Sequence, residues 1–168
     1  MASYPDQVRA AERAERRRRR GGRGVSLAAL RVAELNREFS DRYGGEILPD
    51  DDGGRDDATL MLHHLARRSG DVTARMQSWL DERAPWLTGE ERDQLIDKVL
   101  GNPLRFRADT IASKIGLTAA RRAHLRIRTI GAIDQSAADR AEARRIAKRD
   151  YKRARRQAQR QQHPADPV

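Results

Sequence analysis

Residues 107–134 read RADTIASKIGLTAARRAHLRIRTIGAID. Ile111, Ala112 and Ile115 recur at helical spacing, Gly116-Leu117-Thr118 has the make-up of a tight turn, and Leu125 belongs to a second periodic run. The stretch predicts a helix-turn-helix-like hairpin over 108–125. Such a hairpin needs a small residue where its helices cross, and Ala112 supplies it. It needs a turn residue free of side-chain bulk, and Gly116 stands four positions later. Thr118 caps the second helix and is placed to meet a phosphate. Arg121 and Arg122 then face outward, toward a groove, where arginine is the commonest reader of guanine edges. One position dissents: six residues after the turn glycine, where an aliphatic side chain would complete the shared core, the chain has Arg122. The competing reading is two packed helices with solvated arginines.

Outward from the hairpin, charge organises the chain. Of 168 residues, 35 are Lys or Arg and 25 are Asp or Glu, a formal net charge of +10. It is unevenly placed: +5 over residues 1–24, −6 over 25–103, +12 over 104–163, and −1 from Asp166. An acidic middle between basic arms points to a polyanionic partner. Hydrophobic residues make up 38%, which limits the core to part of the chain. The absence of cysteine excludes disulfides, thiol nucleophiles and cysteine-based zinc sites, and is compatible with a reducing compartment. No apolar run approaches the ~18 residues of a membrane span.

The middle reads as helices throughout, so the expected fold class is all-α: a small helical bundle with the hairpin and a long basic C-terminal helix. Ser26 caps a helix with Leu27, Leu30, Ala33 or Leu35, and Phe39 inward, closed by Tyr43-Gly44-Gly45. A loop, EILPDDDGGRDD, precedes a helix carrying Leu60, Met61, His64 and Leu65, which stops near Gly70. A third helix holds Met76, Trp79 and Leu80 and ends before Pro85. Thr88-x-x-Glu91 is a capping box for a fourth, with Leu95, Ile96, Val99 and Leu100 on one face. Trp79 and Trp86 are expected to anchor the core. Only RIRTI, 126–130, alternates as a short strand would. The expected organisation is a disordered Arg-rich arm over 1–24, a helical domain over 25–134, a basic helix over 135–162 and a disordered tail over 163–168.

The basic helix runs from Ser136 to about Gln162 without Gly or Pro, in residues that favour helix. Its apolar stripe (Ala143, Ala147, Tyr151, Ala154, Ala158) is too thin to bury firmly. Between Ala143 and His163 the only acid is Asp150, too few for a plainly solvated helix. Arg145, Arg149, Lys152, Arg153 and Arg156 are therefore assigned to phosphates, joined by Arg126 and Arg128 beside the hairpin. Aromatic residues are scarce in both arms, which argues against a single-strand binder.

Two clusters invite chemistry and are read as structural. Asp50, Asp51, Asp52, Asp56 and Asp57 could hold a divalent metal for a nuclease. Counted from Asp50, however, Arg55 falls where a calcium loop needs glycine and Met61 ends the loop. Asp56 and Asp57 read instead as helix-start residues, and the cluster as a contact for the arginine arms. His63 and His64, adjacent on a helix, point about 100° apart and do not share a metal easily; one is expected to pack and one to be wet. No nucleophile–base pair, phosphate-cradling loop or cofactor fingerprint is visible. No enzyme activity, metal or cofactor is expected.

The combination LPDDDGGRDD, APWLTGEE and IGLTAARRAHLRIRTIGAID with an arginine-rich tail resembles a set of short uncharacterised proteins from rhizobia and related α-proteobacteria, over roughly residues 27–160. The resemblance implies a bacterial, cytoplasmic protein and no mechanism. The function expected from the residues is DNA binding; taken with the resemblance, it is that of a regulator or accessory protein of a bacterial or mobile-element genome. Double-stranded DNA is the favoured partner. The alternatives are a protein–protein module built on the Ala/Arg-rich helix and a binder of structured RNA.

Overall fold

The structure, a computed structural model, describes residues 26–162, with side chains as far as Gln159. The arm expected over 1–24 and the tail over 163–168 lie outside the described residues. Those residues form seven helices: α1 Leu27–Tyr43, α2 Asp52–Leu65, α3 Val72–Arg83, α4 Gly89–Gly101, α5 Ala108–Ile115, α6 Ala119–His124 and α7 Ala137–Gln162. The fold is all-α, and among the described residues there is no strand and no helix long and apolar enough to cross a membrane. The chain divides into two compact units, one ending at Leu104 and one beginning at Arg105, so α5, α6 and α7 belong to the same unit.

In the first unit α2 is central, packing against α1, α3 and α4. It buries Ala58, Leu60, Met61, Leu62 and Leu65 around its circumference. Its start corrects the expectation from sequence. Asp51, not Asp56 or Asp57, is the cap: its carboxylate accepts from the Gly54 amide at 2.7 Å. Gly53 and Gly54, expected in the loop, lie in the first turn of the helix. A Cβ on Gly54 would stand 2.0 Å from the carbonyl oxygen of Pro49. Asp50 pairs with Arg55 at 3.1 Å, and Arg55 also lies over the Trp86 ring at 4.8 Å. Among the described residues no cluster of His, Asp and Glu is placed to hold a metal.

Helix α1 is capped by Ser26 and closed by Gly44 in the left-handed region, as expected, but it is rotated. Leu27, Leu30 and Ala33 are exposed, and the buried face is Arg31, Val32, Glu34, Leu35, Glu38 and Phe39. This face carries charge into the α1–α2 seam. Arg42 donates to Glu38 at 2.9 Å and to Asp57 at 3.0 Å, and the Tyr43 hydroxyl donates to Asp57 at 2.7 Å. Burial outweighs these partners and raises the Asp57 carboxyl above the usual range. Both histidines are buried, so the expectation of one wet ring fails. His63 Nδ1 accepts from the Leu104 amide at 3.2 Å. Burial first, then the charges of Arg31, His63 and Arg67, hold His64 down at about 4.

Helices α3 and α4 close the unit. Trp79 is buried and donates to Asn36 at 2.9 Å; Trp86 donates to the Leu48 carbonyl at 2.8 Å. The Thr88–Glu91 capping box is present in both directions, and α4 buries Ile96 and Val99 while Leu100 stays exposed.

Candidate nucleic-acid interface

The second unit is built on a small apolar centre. Ile111, Ala112 and Ile115 of α5 meet Leu117, Leu125, Ile127 and Ile130, all buried. Burying each large aliphatic contributes about 1.5–3 kcal/mol, enough to fix two short helices that could not stand alone. Helix α5 ends in Gly116 at φ +61°, where a side chain would be strained, and the Leu117 amide reaches back to the Ala112 carbonyl at 3.0 Å. Thr118 then caps α6, its hydroxyl accepting from the Arg121 amide at 3.3 Å. The Thr118 hydroxyl is thus occupied within its own helix, and the neighbouring Ala119 amide donates to the Asp134 carboxylate at 2.7 Å. The place offered to a phosphate at the start of α6 holds the chain's own anion.

Arg122 also departs from its expected outward position. It is half-buried; Nε donates to the Ile130 carbonyl at 2.8 Å and Nη2 to the Arg128 carbonyl at 3.2 Å. The guanidinium stands in for the missing aliphatic residue by clamping the return segment. That segment explains the strand-like pattern at 126–130. Leu125, Ile127 and Ile130 are buried while Arg126 and Arg128 are exposed, an alternation carried by an irregular strap held by Arg122; the strand expected over 126–130 does not form. The only bridge among the described residues nearby is the isolated pair Ala132–Gln135. Gly131 lets the strap pass close to α5, its amide donating to the Ala108 carbonyl at 3.0 Å; a Cβ there would stand 3.0 Å from Asp109 Cα.

Arg126 has φ +52°, the only positive φ on a non-glycine residue among those described. Its amide donates to the Ala123 carbonyl at 3.1 Å and the next amide, Ile127, to the Arg122 carbonyl at 2.9 Å. These two bonds make a Schellman closure of α6 with arginine in the seat that glycine usually takes. Arg121 is half-buried, so of the hairpin arginines expected at a groove, Arg126 and Arg128 are the exposed ones. The sequence did not single out His124 and Lys114, which are also exposed here, with Lys114 over the Phe106 ring at 5.5 Å.

Helix α7 starts from a capping box: the Asp139 amide donates to the Ser136 hydroxyl at 3.1 Å and the Ser136 amide to Asp139 at 3.2 Å. Arg140 ties this first turn down by donating to the Asp109 carboxylate and the Gln135 carbonyl. Beyond it every side chain from Glu142 to Gln159 is exposed, including Ile146 and Tyr151. Among the described residues the one ion pair along this stretch is Arg145–Glu142 at 3.5 Å.

At about 100° per residue the eight cations of 142–159 fall within one half of the helix circumference. Arg144, Arg155 and Lys148 lead in from one margin, Lys152 and Arg145 lie central, and Arg156 and Arg149 lead out to Arg153 at the other margin. The opposite half carries Ala143, Ala147, Ala154, Ala158, Ile146 and Tyr151, with Asp150 and Gln157, and no cation. Arg145, Arg149, Lys152, Arg153 and Arg156 thus share one surface. Arg144, Lys148 and Arg155 belong to it too, and projecting the sequence at 100° would have found them. No family model, no curated protein and no solved structure matches the chain.

Proposed function

We propose that this chain is a DNA-binding protein, a regulator or accessory factor whose main grip is the cationic half of α7. The observation that carries this reading is the sorting of eight cations onto one exposed half of a helix with a single ion pair of its own among the described residues. Like charges recur at i and i+4 along Arg144, Lys148, Lys152 and Arg156, and each such pair disfavours an isolated helix by about 0.2–0.5 kcal/mol. Phosphates along that face relieve the repulsion and release counterions. Arg126 and Arg128 add exposed cations on the hairpin side. The internal use of Thr118, Arg122 and Asp134 leaves the hairpin few groups for reading bases, so the grip is expected to be largely indifferent to sequence.

The test is binding of the full chain to duplex DNA at two salt concentrations, with and without random-sequence competitor. Affinity is expected to fall steeply with salt and to be erased by competitor. Salt-insensitive binding, or none at low salt, would overturn the reading. The exposed apolar half supports a second reading, a protein–protein module in which α7 pairs with another helix. Light scattering separates the two: a dimer that dissociates on Ala147→Glu belongs to that alternative.

A further inference from the structure

We propose that α7 lies lengthwise in the major groove of B-form DNA, with the phosphates of both strands flanking it. This rests on the DNA-binding reading and specifies its geometry.

The argument starts from the width of the cationic surface. A single strand crossing or following α7 can touch only a narrow stripe of it. One stripe of three or four cations would serve such a strand, and cations at the opposite margin would face solvent. Here the arc runs from Arg144 to Arg153, about half the circumference, through Lys152 and Arg145 at its centre. A half-cylinder of charge fits an anionic trough with two walls and a floor. The major groove of B-DNA, about 12 Å wide, admits an α-helix of about 10–12 Å diameter with a phosphate backbone along either side. Arg144 and Arg153 would then reach opposite strands. The major groove of an A-form RNA duplex is too deep and narrow for side chains to read, so it does not offer this trough to a helix.

The arc holds no aromatic residue. Tyr151, the only one on α7, lies on the opposite half and is 67% exposed. A single-strand site stacks bases on aromatic rings, and this surface has none to offer. It also carries no Asn, and its one Gln, Gln159, lies at the end of the described side chains. Adenine readout by amide side chains is therefore nearly absent, consistent with a groove occupied for its phosphates. The alanines of the other half would face outward, away from the floor of the groove.

The experiment uses the full chain and three probes of one sequence: a DNA duplex, one of its strands, and the corresponding RNA duplex, each titrated across a salt series. The DNA duplex is expected to bind tightest, and a major-groove dye such as methyl green to be displaced. Arg144→Gln and Arg153→Gln, made singly, are each expected to reduce the slope of log K against log salt by about 0.9 on the DNA duplex, and together by about twice that. Tyr151→Gln is expected to leave the slope unchanged. Both margins are solvent-exposed, so neither change threatens the fold. If only one margin moves the slope, α7 lies along one strand and the groove geometry is wrong. Equal or tighter binding of the single strand or the RNA duplex overturns it as well, while the nucleic-acid reading survives. If none of the three binds and vesicles of anionic phospholipid do, the DNA-binding reading itself falls, and this inference with it.

Discussion

Replacing Arg122 separates two accounts of the second unit. As a groove-facing arginine, Arg122→Ala would weaken DNA binding and leave the fold intact. As the clamp of the 126–131 strap, it should do the reverse. Its guanidinium makes two charge-assisted bonds to backbone carbonyls, at 2.8 Å to Ile130 and 3.2 Å to Arg128. Bonds of this type contribute about 1.5–3 kcal/mol each when buried. Half-exposure and the longer second bond reduce the pair to about 2 kcal/mol in all. Because both tryptophans lie in the first unit, fluorescence is blind to the loss. Amide hydrogen exchange of Ile127 and Gly131, whose amides donate to Arg122 and Ala108, reports it directly. A loss of about 2 kcal/mol accelerates their exchange about thirtyfold. The salt slope for DNA, measured where the variant is folded, should not change. Unaltered exchange together with a slope reduced by about 0.9 would refute the clamp and restore Arg122 to the interface.

Three further changes test other parts of the fold. His64 is held neutral in the fold at about 4 against 6.5 when exposed, so the unfolded chain takes up its proton first as pH falls. Lowering the pH from 7 to 4.5 should therefore cost the first unit about 2 kcal/mol, read by tryptophan fluorescence in urea. Asp57, whose carboxyl is raised, titrates with the opposite sign; the informative quantity is the difference from His64→Gln, and a variant with the full wild-type loss would sink the assignment. Arg126→Gly removes a left-handed side-chain penalty of about 1–2 kcal/mol and should slow exchange of the Ile127 amide; faster exchange would mean the side chain stabilises more than the backbone strains. Gly54→Ala would drive a Cβ into the Pro49 carbonyl and should destabilise the first unit by about 3 kcal/mol; a neutral result in urea denaturation would show that the α2 start can shift.

The helices were legible where local chemistry decides them. Ser26, Thr88 and Gly116 mark their ends by capping and by the left-handed turn, and Thr118 opens α6 where its hydroxyl could reach the next amides. What the sequence hid depends on distant partners. Asp51 outranks Asp56 as a cap because the Pro49 turn brings Gly54 close, which no period reveals. Helix α1 turns Leu27 and Leu30 outward and buries Glu38, which Arg42 holds while also reaching Asp57 of α2, a charged seam that the apolar spacing does not reveal. The alternation at 126–130 suggests a short strand, but no strand forms there; the segment leaves α6 through the left-handed Arg126 and is held by the Arg122 side chain, a partner that local spacing does not reveal. The five α7 cations chosen from sequence share one surface, while Arg122 turns inward to the carbonyls of Ile130 and Arg128, partners that no local spacing reveals.

If α7 seats in DNA as proposed, the spacing of its alanines limits how much duplex one molecule would cover. Ala143 to Ala154 and Ala147 to Ala158 each repeat after eleven residues, about 3.67 per turn, close to the 3.6 of an unstrained helix. The cationic half therefore keeps one bearing along the rod and hardly coils. A DNA groove does coil, completing a turn in about 34–36 Å. The rod from Arg144 to Arg156 is about 18 Å long, so, seated in the groove as proposed, it would meet about five base pairs, half a turn, before the walls curve away from it. Adding further basic turns to the end of α7 would lengthen the helix into solvent and leave the footprint as it is.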